Sequence, residues 1–218
     1  MPQILLGVTG SVAAIKTDDL VPTLLDRGHQ VRVILTRSGE FFLPRWSGAT
    51  PSGRIPTFRD RDEWPSSGWS RGDDVLHIEL VRWADVFLIA PLDAHTLGKW
   101  AQGLADNLLT STLRAWNYAK PIVVAPAMNT RMWENPITRR HFAQILADRD
   151  EVWPGAGPLP GMDELVGQFD VFREPIRIVP PIPKTLACGD YGVGAMAAVD
   201  AVADRVELVW RQVQSRAR

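Results

Sequence analysis

The chain has 218 residues, 45% of them hydrophobic and 22% charged, with a formal net charge of -1 at pH 7. This is enough chain to bury a full core, and the balance is that of a globular domain with no polyelectrolyte basis for holding nucleic acid or an anionic membrane. No apolar run approaches the about 20 residues needed to span a bilayer, and the single cysteine, Cys188, excludes an internal disulfide and points to a reducing, cytoplasmic setting.

The N-terminus carries no basic region followed by an apolar stretch and a cleavage site, so no secretory leader is expected. Residues 4–9 form an apolar run that reads as a strand and ends in Gly10-Ser11. A helical pattern then reaches Arg27, with Gly28 as its stop, and residues 31–36 read as the next strand. Pro22 inside the helical stretch predicts a kink, because an interior proline costs about 3 kcal/mol. Residues 37–74 are rich in Gly, Pro, Ser, Arg and Asp and read as a loop-rich excursion over the surface.

Residues 86–90 are a buried strand, 96–116 a helix, 121–125 a fourth strand and 137–148 a further helix. A turn-forming run at 153–161 opens a stretch with no compelling element before Ile176, so residues 150–176 are expected to be a surface insertion in a single domain spanning 1–218. A short strand at 177–179 follows. Val199, Val202, Val206, Val209 and Trp210 then stripe one face of a C-terminal helix.

Alternating strands and helices predict an α/β fold, a flavodoxin-like (Rossmann-like) doubly wound parallel sheet. Such folds bind ligands outside the carboxyl ends of the strands, near the point where the strand order reverses. The strand-end loops are therefore the candidate site.

Gly10 and Ser11 can bring backbone and a hydroxyl to a phosphate, or can simply make a tight turn. Thr36 and Ser38 at the next strand end would complete an anion site without lysine. No Gly-x-Gly-x-x-Gly is present, which fits FMN better than a dinucleotide. The loop Asp93-Ala94-His95-Thr96 could lie along a planar ring, with Thr96 as an N-cap. His77 opens a short helix, where the dipole favours a neutral imidazole able to act as a base, or it is a surface or capping residue.

Asn129 is either a carboxylate donor or a turn residue bonding its own backbone. Cys188 sits before Gly-Asp-Tyr-Gly-Val-Gly, which reads as a mobile flap. A lone cysteine otherwise packs as a small hydrophobe. No second cysteine and no paired histidine spacing suggests a metal site.

Four segments carry a family resemblance: residues 7–16, 77–85, 126–133 and 187–197. Together they resemble the homo-oligomeric flavin-containing cysteine decarboxylases, over most of residues 3–149 and 177–210. The resemblance implies FMN held by Gly10, Ser11, Thr36 and Ser38 and lying against Asp93, Ala94, His95, Thr96 and Ala127. It implies a homotrimer with each site between two subunits, His77 from one and Asn129 with the Cys188 flap from the other.

It also implies a reaction on 4'-phospho-N-pantothenoylcysteine in coenzyme A synthesis: oxidation at the carbon bearing sulfur, loss of CO2, then reduction with a proton from Cys188. In that scheme His77 is the base or orienting group, Asn129 and Met132 meet the substrate, and Lys16 and Arg82 help hold its anionic groups. Three departures from the family pattern stand out. His95 replaces the usual Asn, residues 150–176 are inserted, and residues 44–59 are elaborated. The non-enzymatic alternative is a regulatory subunit, since fungal members of the family inhibit a protein phosphatase. A flavin prenyltransferase, a peptidyl-cysteine decarboxylase and a simple flavodoxin fit the His77–Cys188 pair and the flap less well.

Overall fold

Period-two alternation in three apolar runs sets the architecture. In β1 (Gln3–Val8), Ile4, Leu6 and Val8 face one hydrophobic cluster and Leu5 the other. A 3-10 turn (Val12–Lys16), α1 (Thr17–Asp26) and β2 (Gln30–Leu35) follow, then α2 (Arg37–Phe42). The excursion holds β3 (Ala49–Thr50), β4 (Gly53–Arg54), β5 (Thr57–Phe58) and α3 (Asp60–Glu63). Next come α4 (Leu76–Trp83), β6 (Val86–Leu92), α5 (Ala94–Ala101), α6 (Leu108–Arg114), β7 (Ile122–Pro126), α7 (Thr130–Trp133) and α8 (Pro136–Arg149). The chain ends with α9 (Met162–Val171), β8 (Ile176–Ile178), the hairpin strands β9 (Ile182–Thr185) and β10 (Tyr191–Ala195), and α10 (Val199–Arg216). This computed structural model describes residues 1–51, 53–66, 68–149, 158–171, 176–187 and 189–216.

Six strands form one parallel sheet in the order β5-β2-β1-β6-β7-β8. The order reverses between β1 and β6, so the doubly wound expectation holds, with its crevice at their carboxyl ends. In β6, Phe87 and Ile89 point to the cluster under α4, α5, α6, α8 and α9, while Val86, Leu88 and Ala90 point to the cluster under α1 and α10. β7 repeats the pattern with Ile122 and Val124 against Val123 and Ala125. Both faces are covered, which is what lets these strands be apolar throughout. Each fully buried Leu, Ile or Phe here contributes about 1.5–3 kcal/mol.

Several expectations are corrected. The helix expected over 96–116 is two helices, because Gly103 adopts a positive φ of 67° and Asn107 starts α6 with a reciprocal cap to Thr110. α1 keeps Pro22 within a continuous helix, and the change of helix type comes earlier, at Lys16. The 37–74 excursion is not wholly peripheral, since β5 extends the main sheet and α2 follows β2 directly.

Most of the described part of 150–176 is helix α9, not surface insertion. Leu165 and Phe169 are each 1% exposed, and the Phe169 ring lies edge-on to Phe142 at 5.9 Å. Arg177 Nη1 donates to the Phe169 carbonyl at 2.8 Å, joining the end of α9 to β8. The flanking turn residues hid a pair spaced i, i+4. Residues 150–157 and 172–175 lie outside the described part. Among the described residues no helix is long and apolar enough to cross a membrane.

The seam between α1 and α10 is ionic. Arg27 reaches Asp200, Asp204 and Glu207, and the buried His29 places Nε2 3.6 Å from Glu207. Burial pushes the His29 pKa down, against the pull of Glu207; His141 is also pushed down, by burial and then by Arg140. An unfolded histidine titrates near 6.5. Below that pH the unfolded chain therefore binds more protons than the folded one, and stability falls as pH falls. The urea midpoint is expected to drop as the pH is lowered through about 6.5, and His29→Gln should flatten that drop. A variant with the same pH dependence as the wild type would remove His29 from this role.

Candidate active site

The carboxyl ends of β1 and β6 are knotted together by two side chains. Thr9 is fully buried; its hydroxyl donates to the Pro91 carbonyl at 2.8 Å and accepts from the Asp93 N–H at 2.8 Å. Asp93 in turn accepts from the Gly10 N–H (3.0 Å) and the Thr96 N–H (2.7 Å). A buried carboxylate is tolerable when both oxygens take N–H donors in this way. Asp93, not Thr96, is thus the N-cap of α5, and Thr96 supplies the capped N–H. His95 stands exposed on the first turn of α5 with Ala94 beside it.

Gly10 is where the chain must lack a side chain. A Cβ there would lie 2.5 Å from Ser38 Cβ and 3.0 Å from Asp93 Oδ2. Ser38 is exposed, and Ser11 lies beyond Gly10 at the start of the 3-10 turn, its Oγ accepting from Ala13 N–H at 3.3 Å. Thr36 does not join them at the surface. Its hydroxyl caps α2, accepting from Gly39 N–H at 3.1 Å, and donates to the Val8 carbonyl at 3.2 Å. Its part is to set the turn that brings Ser38 to Gly10.

The opposite wall comes from β7 and the hairpin. Ala127 N–H bonds the Leu92 carbonyl, and Asn129 follows as N-cap of α7, its Oδ1 accepting from Arg131 N–H at 2.9 Å. β10 docks here through Met128 N–H to Gly194 O at 3.0 Å. A Cβ on Gly194 would collide with the Met128 carbonyl, and one on Gly192 with Thr130 Oγ1. The glycine spacing read as flap mobility therefore serves close docking of a strand. Lys16 completes the junction, its Nζ donating to the carbonyls of Met196 (2.8 Å) and Ala197 (3.1 Å). Burial, with Lys184 nearby, lowers its pKa against the pull of Asp19. Two of the three Lys16 N–H donors are thus taken by the backbone.

Between these walls lies a cleft of about 490 Å3, within the range of about 300–1,000 Å3 usual for small-molecule sites. Of the predicted residues, Gly10, Ser11, Lys16, Asp93, Ala94, His95, Ala127, Asn129 and Met132 line it. Its lining is largely apolar: Val12, Ile15, Phe42, Met128 and Leu186 add to Met132. Lys184 and Ala187 of the hairpin also line it, and only pairing of β9 with β10 reveals them. A largely apolar lining that ends at Gly10 and Ser11, with Ser38 packed against Gly10, fits FMN, an aromatic ring system carrying a phosphate monoester.

Of the other predicted residues that are described, Thr36, Ser38, His77, Arg82 and Thr96 are absent from its lining. Arg82 is exposed on α4. His77, on the first turn of the same helix, is absent from the lining and instead meets Glu63, which sequence reasoning missed. Cys188 lies outside the described residues, within the β9–β10 connection whose Leu186 and Ala187 line the cleft.

Comparison with known proteins gives a consistent result. The family profile described as Flavoprotein matches residues 1–209. Phosphopantothenoylcysteine decarboxylase of Arabidopsis thaliana is 47% identical over 210 residues, covering 96% of this chain and 85% of that protein. A solved structure of a cysteine-to-serine mutant of PPC decarboxylase, complexed with pantothenoylaminoethenethiol, superposes with a TM-score of 0.75 at 45% identity, covering 96% of this chain and 98% of that one. The FMN-binding protein AtHal3 gives 0.73 at 45% identity, with 97% of each chain covered.

The docking of the hairpin is testable through its glycine. Gly194→Ala should lower the melting temperature, as overpacking of about 1–3 kcal/mol does, and should speed proteolysis within residues 182–195. Gly167→Ala on α9, where an added Cβ meets nothing within 4 Å, is the control expected to leave cleavage unchanged. Equal cleavage of the two variants would show that the close contact does not hold the hairpin.

Proposed function

The chain belongs to the Flavoprotein family, and from that premise we propose that its strand-end cleft is the site where FMN and a cysteine carboxylate meet. The protein decarboxylates 4'-phospho-N-pantothenoylcysteine to 4'-phosphopantetheine, a step of coenzyme A biosynthesis, with FMN as cofactor. The observation that carries the site assignment is the pairing of two ends in one cleft. One end is the Gly10–Ser11–Ser38 cradle; the other is Asn129 beside the connection that carries Cys188.

Ser11 and Ser38 donate hydroxyls to the FMN phosphate, and the missing Cβ of Gly10 lets Ser38 and Asp93 pack against that turn. Asp93, Ala94, His95 and Ala127 shape the floor under the ring, with Thr96 and Thr36 holding their loops from behind. When bound, FMN supplies the two-electron oxidation of the carbon bearing sulfur and its later reversal. With that carbon at the thioaldehyde level, the neighbouring carboxylate can leave as CO2, its electron pair passing to sulfur as an enethiolate. The Asn129 amide donates to the carboxylate before it leaves, and Met132 covers the substrate. Cys188 then delivers a proton to the carbon that lost CO2.

Lys16 anchors the hairpin, so its contribution to the substrate is indirect. Arg82 stands away from the cleft of its own chain. His77 is the base or orienting group for the oxidative half, and it acts in the cleft of a neighbouring copy. What supports a homotrimer with shared sites is that His77 is outside its own chain's cleft while Val12, Ile15 and Met132 on the cleft are 45–56% exposed. A cytoplasmic location is part of this reading, since a reducing compartment keeps Cys188 a thiol.

Adding 4'-phospho-N-pantothenoylcysteine to the purified yellow protein should release CO2 and 4'-phosphopantetheine. Bound FMN without turnover would sink the decarboxylase reading and favour a phosphatase-regulating subunit. Cys188→Ser should stop after CO2 loss and accumulate the enethiol, as the ligand of the mutant PPC decarboxylase suggests. Normal turnover by that variant would overturn the proton-donor assignment.

A further inference from the structure

Glu63 ends the four-residue helix α3, with only 6% of its side chain exposed, and no Lys or Arg among the described residues pairs with it. Its two oxygens go to one residue. Oε2 accepts the main-chain N–H of His77 at 2.9 Å, and Oε1 lies 2.5 Å from His77 Nδ1. A carboxylate only accepts, so the ring nitrogen facing it carries the hydrogen. In the neutral imidazole the lone pair is then on Nε2.

The carboxylate is itself held in place. Asp60, at the other end of α3, accepts from Leu108 N–H at 3.0 Å where α6 begins. The turn between them is closed by Arg59 N–H to Asp62 Oδ2 at 2.7 Å, and Arg59 Nε reaches Glu40 at 2.7 Å. α3 is therefore a bracket with one acid on α6 and the other on α4. An acid buried this deeply against a single histidine is more than a helix cap, because a cap needs only one of its oxygens.

We propose that Glu63 is a positioning residue for His77. It fixes the ring plane and the Nδ1–H tautomer, so that α4 presents Nε2 as a proton acceptor. This inference rests on the catalytic reading of His77. It adds to that reading the group that orients the base, which is how a histidine base is usually held ready.

Glu63→Gln separates the two roles of the side chain. Its amide oxygen can still accept the His77 main-chain N–H, which leaves an NH2 facing Nδ1 and favours the opposite tautomer. On FMN-loaded protein with 15N-labelled imidazoles, the wild type should show His77 as Nδ1–H and the variant as Nε2–H. In the same variant kcat should fall about 10²- to 10⁴-fold, the usual worth of general acid–base catalysis, while KM and FMN affinity stay as they were. Glu63→Ala, losing both contacts, should add a lower melting temperature.

An unchanged tautomer with wild-type kcat in Glu63→Gln would reduce Glu63 to a helix cap and overturn the proposal. Wild-type turnover by His77→Asn would instead overturn the catalytic reading of His77, and the tautomer spectrum reads the Glu63 contact independently of that result.

Discussion

Everything at the functional end of this molecule depends on how two parallel strands are joined where the sheet changes direction. Parallel neighbours that diverge into opposite crossovers leave their last N–H and C=O groups without ladder partners. Here Thr9 and Asp93 take up those groups. The hydroxyl of Thr9 bridges to Pro91 and Asp93, and the Asp93 carboxylate reaches back to Gly10 and forward to Thr96. The loop after β1 and the first turn of α5 thereby become one rigid floor. A ligand settling there meets backbone that is already paid for in conformational entropy.

The second wall is built by contact of a different kind. β10 lies so close to the end of β7 that side chains at Gly192 and Gly194 would strike Thr130 and the Met128 backbone. Lys16 reaches from the first wall to the carbonyls just past β10. The connection carrying Cys188 is thus sprung from a fixed base, with Leu186 and Ala187 against the cleft. In the function proposed above, redox chemistry is left to the cofactor, while the chain's task is to place an amide, a thiol and a neighbouring copy's imidazole around one small molecule.

The fold was largely legible because strand and helix periods survive in the sequence wherever burial is two-sided or one-sided. Residues 86–90 and 121–125 read correctly as strands for that reason. The misreadings share a cause. α9 hides its buried pair Leu165 and Phe169 between turn-forming residues, and the break in 96–116 hangs on one glycine and one capping asparagine. Local pattern ranks such residues too weakly, and tertiary packing decides them.

For the cleft, strand-end placement was enough to point to the loops that carry Gly10, Ser11, Asp93 and Asn129, all of which line it, because fold topology gathers strand ends without needing coordinates. Sequence could not say which of their polar atoms remain for a ligand. That Lys16 and Thr36 are engaged by backbone carbonyls and a helix cap is decided by tertiary contacts. So is the meeting of Glu63 with His77, fourteen residues apart in an irregular excursion. Hydrogen-bond partners across such distances are set by how elements pack in space, and no periodicity along the chain records that.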